Sequence, residues 1–355
     1  MASNSHAGTE HEHLVGAGFD RNPVDHCIYS KQVNNNLIIV VIWVDDLIVA
    51  SDDMDLMNQF KEGMKRQFKM KDLGRISLFL GIDFDQSCGV IKMNQKRYIL
   101  KMLDRFGMKD CKPRATPCEQ KLGCNNDLMT DPKKYREIIG SLIYAMTCTR
   151  PDISWTVSKL SQKLSCPREE DMVAAKHVLR YLRGTIDYEL CFKKCDGNLN
   201  LVAYSDADWA SSLEDRRSTT GYCFSLSNHG PLISWKSRRQ PTVALSTCKA
   251  EYIGMAATAQ ESLYLTQLLN NMGRGSYKAT RIYGDNRGAI DLSKNPVSRQ
   301  RSKHIDIRHH FLREILLNGK IEIVYCPTEE MVADIFTKPA TKVKLNTFKR
   351  FLFGC

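Results

Sequence analysis

The run at residues 37–53, LIIVVIWVDDLIVASDD, restricts this chain more than any other stretch of it. Two short segments rich in β-branched residues flank the adjacent acids Asp45 and Asp46, and that pattern reads as strand, turn, strand with both carboxylates at the tip. Its first apolar segment, residues 37–44, falls far short of the roughly 20 residues that span a bilayer. A further strand is expected upstream, from Cys27, joined through the polar turn at Asn34, Asn35 and Asn36. Downstream, Leu56, Phe60, Met64 and Phe68 recur every four residues, with Lys61, Lys65, Arg66 and Lys69 turned away, which predicts an amphipathic helix. Two strands around Ser87 to Gly89 and a short helix in QKRYILKMLDRFGM follow.

Pro113 and Pro117 interrupt this pattern and place a boundary near 110 to 130. Helices are expected over 133–148 and 152–164 and in PREEDMVAAKHVLRYLRGT, where Pro167 opens the first turn and Gly184 follows the end. From 198 on the order changes. Strands are expected near 199–206, 220–226 and 232–236, with a shorter piece at 242–245, and a long helix runs from an N-cap at Ser246 to Gly273. Strand 280–284, helices 286–293 and 305–318, strand 320–326 and a last helix 328–338 complete a mixed α/β layer. Residues 1–20 lack periodicity and are expected to be a loose tail, as are residues 341–355.

With 355 residues, two domains are the starting expectation. The formal charge of +11, from 51 Lys and Arg against 40 Asp and Glu, favours a polyanionic partner. The 13 cysteines have no zinc-finger spacing and no secretory segment accompanies them, so free thiols in a reducing compartment are expected, and neither a membrane nor a secreted protein. His11-Glu12-His13 lacks the spacing of a metalloprotease helix.

Four acids in the last region stand out by position. Asp206 ends a strand, Glu251 lies in the second turn of the long helix, Asp285 ends another strand, and Asp334 lies in the final helix. Each is flanked by apolar or small residues, where a lone carboxylate is costly to desolvate. Four such groups converging would repel unless cations sat among them, and two Mg²⁺ ions about 3.5 to 4 Å apart relieve that repulsion and drive phosphodiester hydrolysis. Hard oxygen ligands select magnesium, with Mn²⁺ able to replace it. For any one of the four, a helix cap or a surface position is the competing explanation, and for Asp334 the helix dipole alone would suffice.

The segments AYSDADWA, DRRSTTGYCF, ISWKSRRQPTVALST, AEY, IYGDN, KHIDIRHHFLRE and VADIFTKP resemble, in order, the ribonuclease H domain that closes the Pol polyprotein of copia-type long-terminal-repeat retrotransposons. Upstream, YREIIGSLIYAMTCTRPDISWTVSKLSQ and AAKHVLRYLRGT resemble the thumb and connection helices of these polyproteins, and VDDLIVAS with LGRISLFLGIDF resembles the reverse transcriptase palm. The resemblance implies a truncated palm over 21–110, a helical thumb and connection over 111–197, and a ribonuclease H-like mixed sheet flanked by helices over 198–340. It makes Asp206, Glu251, Asp285 and Asp334 the metal-binding acids that cut the RNA strand of an RNA–DNA hybrid. It also implies other parts of the Pol polyprotein as partners and an intracellular location, in cytoplasmic virus-like particles and in the nucleus.

Hybrid recognition would rest on phosphate contacts and shape, with Arg216, Arg217, Ser218, Thr219, Lys236, Arg238 and Arg239 as candidates. Two departures from the family pattern are visible. Lys249 stands where relatives more often carry an acid, and the loop before the last Asp, YCPTEEM, lacks the histidine that many ribonucleases H use for product release. His310 is a candidate substitute, although helix packing or solvent exposure is the favoured reading for His304, His309 and His310 alike. In the family, Asp45 and Asp46 would be two polymerase metal ligands, completed by a third Asp on an upstream strand. Asp20 and Asp25 lack that context, so polymerase activity is expected to be lost through truncation. Two other readings stand beside the nuclease. One is an inactive element remnant that binds nucleic acid, and the other is a polymerase portion that works only with fingers supplied by another chain.

Overall fold

The computed structural model describes residues 4–119, 128, 132–194, 199–212, 214–227, 230–275, 278–294 and 303–354. They form two compact units, residues 1–76 with 261–278, and residues 77–260 with 279–355.

The first unit opens with α1 (Asn4–Gly16) and contains β1 (Asp20–Arg21), β2 (Ile28–Val33), β3 (Asn36–Trp43), β4 (Asp46–Ser51) and α2 (Met54–Gln67). The strands form one antiparallel sheet in sequence order. Asn34 and Asn35 adopt φ of 50° and 67°, the left-handed pair that lets a two-residue turn follow the sheet's twist, and asparagine tolerates it. Alternation along β3 buries Ile38, Val40 and Ile42 against Tyr29 and Met64, while Leu56, Phe60 and Phe68 pack on the same cluster as the four-residue spacing requires. Asp53 caps α2 by accepting from the amides of Asp55 and Leu56.

The expected loose tail at 1–20 is instead helical over Asn4–Gly16, with Leu14 and Phe19 buried in this core. With so few apolar residues α1 has no amphipathic signal in sequence, and its stability comes from the sheet it lies on.

The second unit begins with β5 (Leu78–Phe79), β6 (Ile82–Ser87), β7 (Val90–Asn94), α3 (Lys96–Arg105), α4 (Lys133–Cys148), α5 (Ser154–Ser161), α6 (Glu169–Gly184) and β8 (Leu190–Lys193). β5 to β8 make an antiparallel sheet. The helices share one core that includes Leu103, Ile139, Leu142, Val157, Val178 and Leu182. Where the chain turns from α4 into α5, the fully buried Arg150 donates to both oxygens of Asp152, at 3.0 and 2.7 Å, and to the carbonyl of Thr185.

A five-stranded mixed sheet follows, built from β9 (Val202–Asp208), β10 (Thr219–Ser225), β11 (Leu232–Arg239), β12 (Thr280–Gly284) and β13 (Ile321–Tyr325). Its order is β11-β10-β9-β12-β13, antiparallel among the first three and parallel from β9 through β12 to β13. Parallel neighbours need crossovers, and α7 (Thr247–Asn271), α8 (Arg287–Lys294) and α9 (Lys303–Leu317) supply them. The chain ends in α10 (Lys342–Phe353).

Three expectations fail here. Residues 242–245 form no strand, and Val243 and Leu245 are exposed. The last helix at 328–338 is two 3₁₀ turns, Thr328–Glu330 and Val332–Phe336, confined between Pro327 and Pro339. The expected tail after 340 is α10, capped by Thr341 and ended by Gly354 at φ 80°. Leu345, Phe348, Leu352 and Phe353 of α10 pack with Phe336 and Leu190, a helical spacing that was readable in the sequence.

Candidate metal centre

The topology brings three acids together from separate elements. Asp206 lies near the end of the central strand β9, Asp285 directly follows the adjacent parallel strand β12, and Glu251 sits early in α7. α7 lies close to β9 at Gly254, where a Cβ would stand 3.4 Å from Ser205 Oγ and 3.5 Å from the Asp206 carbonyl. One carboxylate oxygen from each of Asp206, Glu251 and Asp285 lies within 4.8 Å of the others. Asp206 and Glu251 are buried and Asp285 is half-buried, so the cluster opens on one side.

Burial first, then the neighbouring charges of Asp206 and Asp285, push the Glu251 carboxyl up to about 10. Burial likewise raises Asp206 to about 6, against the opposing hydrogen bond from Thr337, with Asp285 and Asp334 adding to the rise. Asp206 and Glu251 therefore share protons when no cation is present. A desolvated set of hard oxygen donors whose charges oppose one another fits a divalent ion such as Mg²⁺.

Both acids hold their protons more tightly than in an unfolded chain, where they would titrate near 3.8 and 4.5. Their contribution to stability is therefore full below those values and is lost as pH rises through about 6 for Asp206 and toward about 10 for Glu251. In thermal melts, the chain in chelator is expected to weaken between about pH 5 and about pH 8, and one fixed Mn²⁺ concentration, roughly a hundredfold above the Kd at about pH 8, to restore about 3 kcal/mol there and less at about pH 5. A metal-induced shift that is the same at both pH values would refute the assignment.

Asp334 was expected to join the other acids. It is 2% exposed and close enough to Asp206 to raise its pKa, yet it stands outside the cluster of three and is ion-paired to Lys338 and Lys344. The 3₁₀ turn that carries it presses on β10 at Gly221, the register partner of Asp206. A Cβ there would lie 2.7 Å from Phe336 Cβ and 2.9 Å from the Ala333 carbonyl. Gly221→Ala is therefore expected to cost about 1 to 3 kcal/mol by overpacking and to weaken Mn²⁺ binding by shifting Thr337 off Asp206. Urea unfolding and metal titration check the two effects separately.

The candidate nucleic-acid residues divide. Lys236 and Arg238 are exposed on one face of β11, and Arg216 is exposed in the turn before β10 at φ 55°. Arg217 and Arg239 both pair with Asp215. Ser218 and Thr219 are buried and act within the fold. The Ser218 hydroxyl accepts from the Ala210 amide, and that of Thr219 bonds to Ser211. Both hydroxyls are thus engaged inside the fold, as a residue entering a central strand turns its small hydroxyl to local bonds. His310 is exposed on α9, while the side chains of His304 and His309 lie outside the described residues.

Asp45 and Asp46 sit exposed at the turn between β3 and β4, next to Val44 at φ 55°. Among the described residues no further acid joins them in a metal-sized group. Sequence reasoning missed Lys338, Lys344 and Thr337, of which only Lys338 and Thr337 fell within a quoted motif.

A model of the reverse transcriptase (RNA-dependent DNA polymerase) family matches residues 4–120, a span that takes in α1. Over 340 residues the chain is 38% identical to the retrovirus-related Pol polyprotein from transposon TNT 1-94 of Nicotiana tabacum, covering 92% of this chain and 25% of that one. It is 37% identical over 340 residues to the Pol polyprotein from transposon RE1 of Arabidopsis thaliana, with 95% and 23% covered. A putative transposon Ty5-1 protein of Saccharomyces cerevisiae is 32% identical over 254 residues, 70% of this chain and 81% of that protein. The chain belongs to the copia-type retrotransposon Pol family. This Pol chain spans about a quarter of the length of the first two relatives. Its five-stranded mixed sheet flanked by helices and its carboxylate cluster lie downstream of the reverse transcriptase match.

Proposed function

We propose that this chain is an Mg²⁺-dependent endonuclease that cleaves the RNA strand of RNA–DNA hybrids. One observation carries the reading, the convergence of Asp206, Glu251 and Asp285 within 4.8 Å from β9, α7 and the end of β12. These carboxylates would hold the metal, which when bound activates a water and stabilises the leaving oxygen. Thr337 donates to Asp206 and fixes the orientation of that carboxylate. Lys236, Arg238 and Arg216 offer exposed cations for the phosphates of the duplex. The relatives' description as Pol polyproteins supports a hybrid as substrate and other Pol segments as partners.

The test is incubation of the chain with an end-labelled RNA annealed to DNA, in Mg²⁺ or Mn²⁺ and in chelator. Metal-dependent internal cuts in the RNA strand are the expected result. Hybrid bound but uncut with either metal would overturn the proposal. Primer extension by this chain alone is expected to yield no product, because Asp45 and Asp46 have no third carboxylate beside them among the described residues. Extension abolished by Asp45→Asn would refute that.

A further inference from the structure

The carboxylate of Asp334 is buried with both oxygens engaged. Lys338, four residues on, pairs with Oδ1, and Lys344, in the first turn of α10, pairs with Oδ2. Lys338 also lies near enough to Asp206 and Asp208 to feel their charges, so its ammonium stands close to the acid cluster as well as to Asp334. One carboxylate oxygen each from Asp206, Glu251 and Asp285 converges within 4.8 Å without any from Asp334. Two consequences follow from electrostatics alone. A divalent ion entering between Asp334 and Asp206 must displace an ammonium from a buried carboxylate, and until it does it meets the repulsion of a positive charge at close range. Both lysines are between one third and one half exposed at their side chains, so each has solvent to move into when displaced.

We infer that Lys338 and Lys344 are internal counter-cations that hold Asp334 in place and compete with a second divalent ion for it, so that the chain free of nucleic acid takes up a single ion at Asp206, Glu251 and Asp285. The inference rests on the metal-centre reading and deepens it. The two lysines are positioning residues, and α10 belongs to the site through Lys344. If they served only to anchor α10, removing their charge would leave the number of bound ions unchanged.

Mn²⁺ titration without nucleic acid, read by the electron paramagnetic resonance signal of the free ion, counts the sites directly. Wild type is expected to bind one ion and the Lys338→Met/Lys344→Met variant two, with Lys338→Arg in an otherwise wild-type chain keeping one. If the double variant does not fold, as judged by circular dichroism, each single Met variant is expected to tighten the second ion by at least about tenfold. Two ions in wild type, or one ion of unchanged affinity in folded Met variants, would overturn the inference and leave the proposed nuclease standing. No Mn²⁺ bound by any form would overturn the metal centre itself, and this inference with it. Asp206→Asn, expected to lose the first ion, tells these cases apart.

Discussion

Replacement of Asp206 by Asn is expected to lower metal-dependent cleavage of the hybrid on the order of a thousandfold or more, because it removes charge from the carboxylate that adjoins both other acids. Asn keeps the shape of the side chain and still offers an oxygen to the Thr337 hydroxyl. The same substitution removes one of the charges that raise Glu251. In chelator above about pH 7 the variant should therefore melt at a higher temperature than the parent, since like charges no longer oppose one another in the buried cluster. Activity and metal-free stability thus move in opposite directions. Single-turnover cleavage and thermal melts read both, and a variant that loses activity together with stability would point to misfolding and refute the argument.

The largest stability loss is expected at Asp152→Ala. Arg150 has no solvent exposure, and Asp152 supplies two of its hydrogen bonds while also accepting from the Tyr181 hydroxyl at 2.7 Å. Removing the carboxylate leaves a buried guanidinium with no counter-charge, a change that costs about 3 to 5 kcal/mol. Replacing both partners by apolar residues of similar volume, Arg150→Met with Asp152→Leu, removes the unpaired charge and is expected to cost clearly less. Urea unfolding of the two variants checks the order. Equal losses would show that packing around Arg150, and not its charge, dominates.

The hairpin and the stripe of α2 could be read from sequence because their periods of two and nearly four match what one buried face of each element demands. Asp206, Glu251 and Asp285 were legible for a different reason. Each is a charge at the end or early turn of an apolar element, a placement that desolvation penalises without a compensating partner. What escaped was decided by tertiary contact. α1 is helical on a sequence with few apolar residues, because a sheet lies beneath it. The segment at 328–338 has helical spacing, but Met331 is extended at ψ 94° and divides it into two 3₁₀ turns. The ion pairs of Asp334 reach it from Lys338 on the adjoining loop and from Lys344 on α10, a helix the sequence reading treated as a tail.

β11 forms one edge of the five-stranded sheet, and its outward backbone groups are a template on which a strand of another molecule could add. The Ser237 carbonyl is already taken by the Ser158 hydroxyl at 2.8 Å, and Lys236 and Arg238 place charge on either side of it. On the proposed reading these two side chains would offer cations to phosphate, and their charge would also disfavour strand addition at this edge. Charge removal at Lys236 and Arg238 would open the sheet to self-association, and weaker hybrid binding by such a variant has meaning only beside a sedimentation profile showing it still monodisperse.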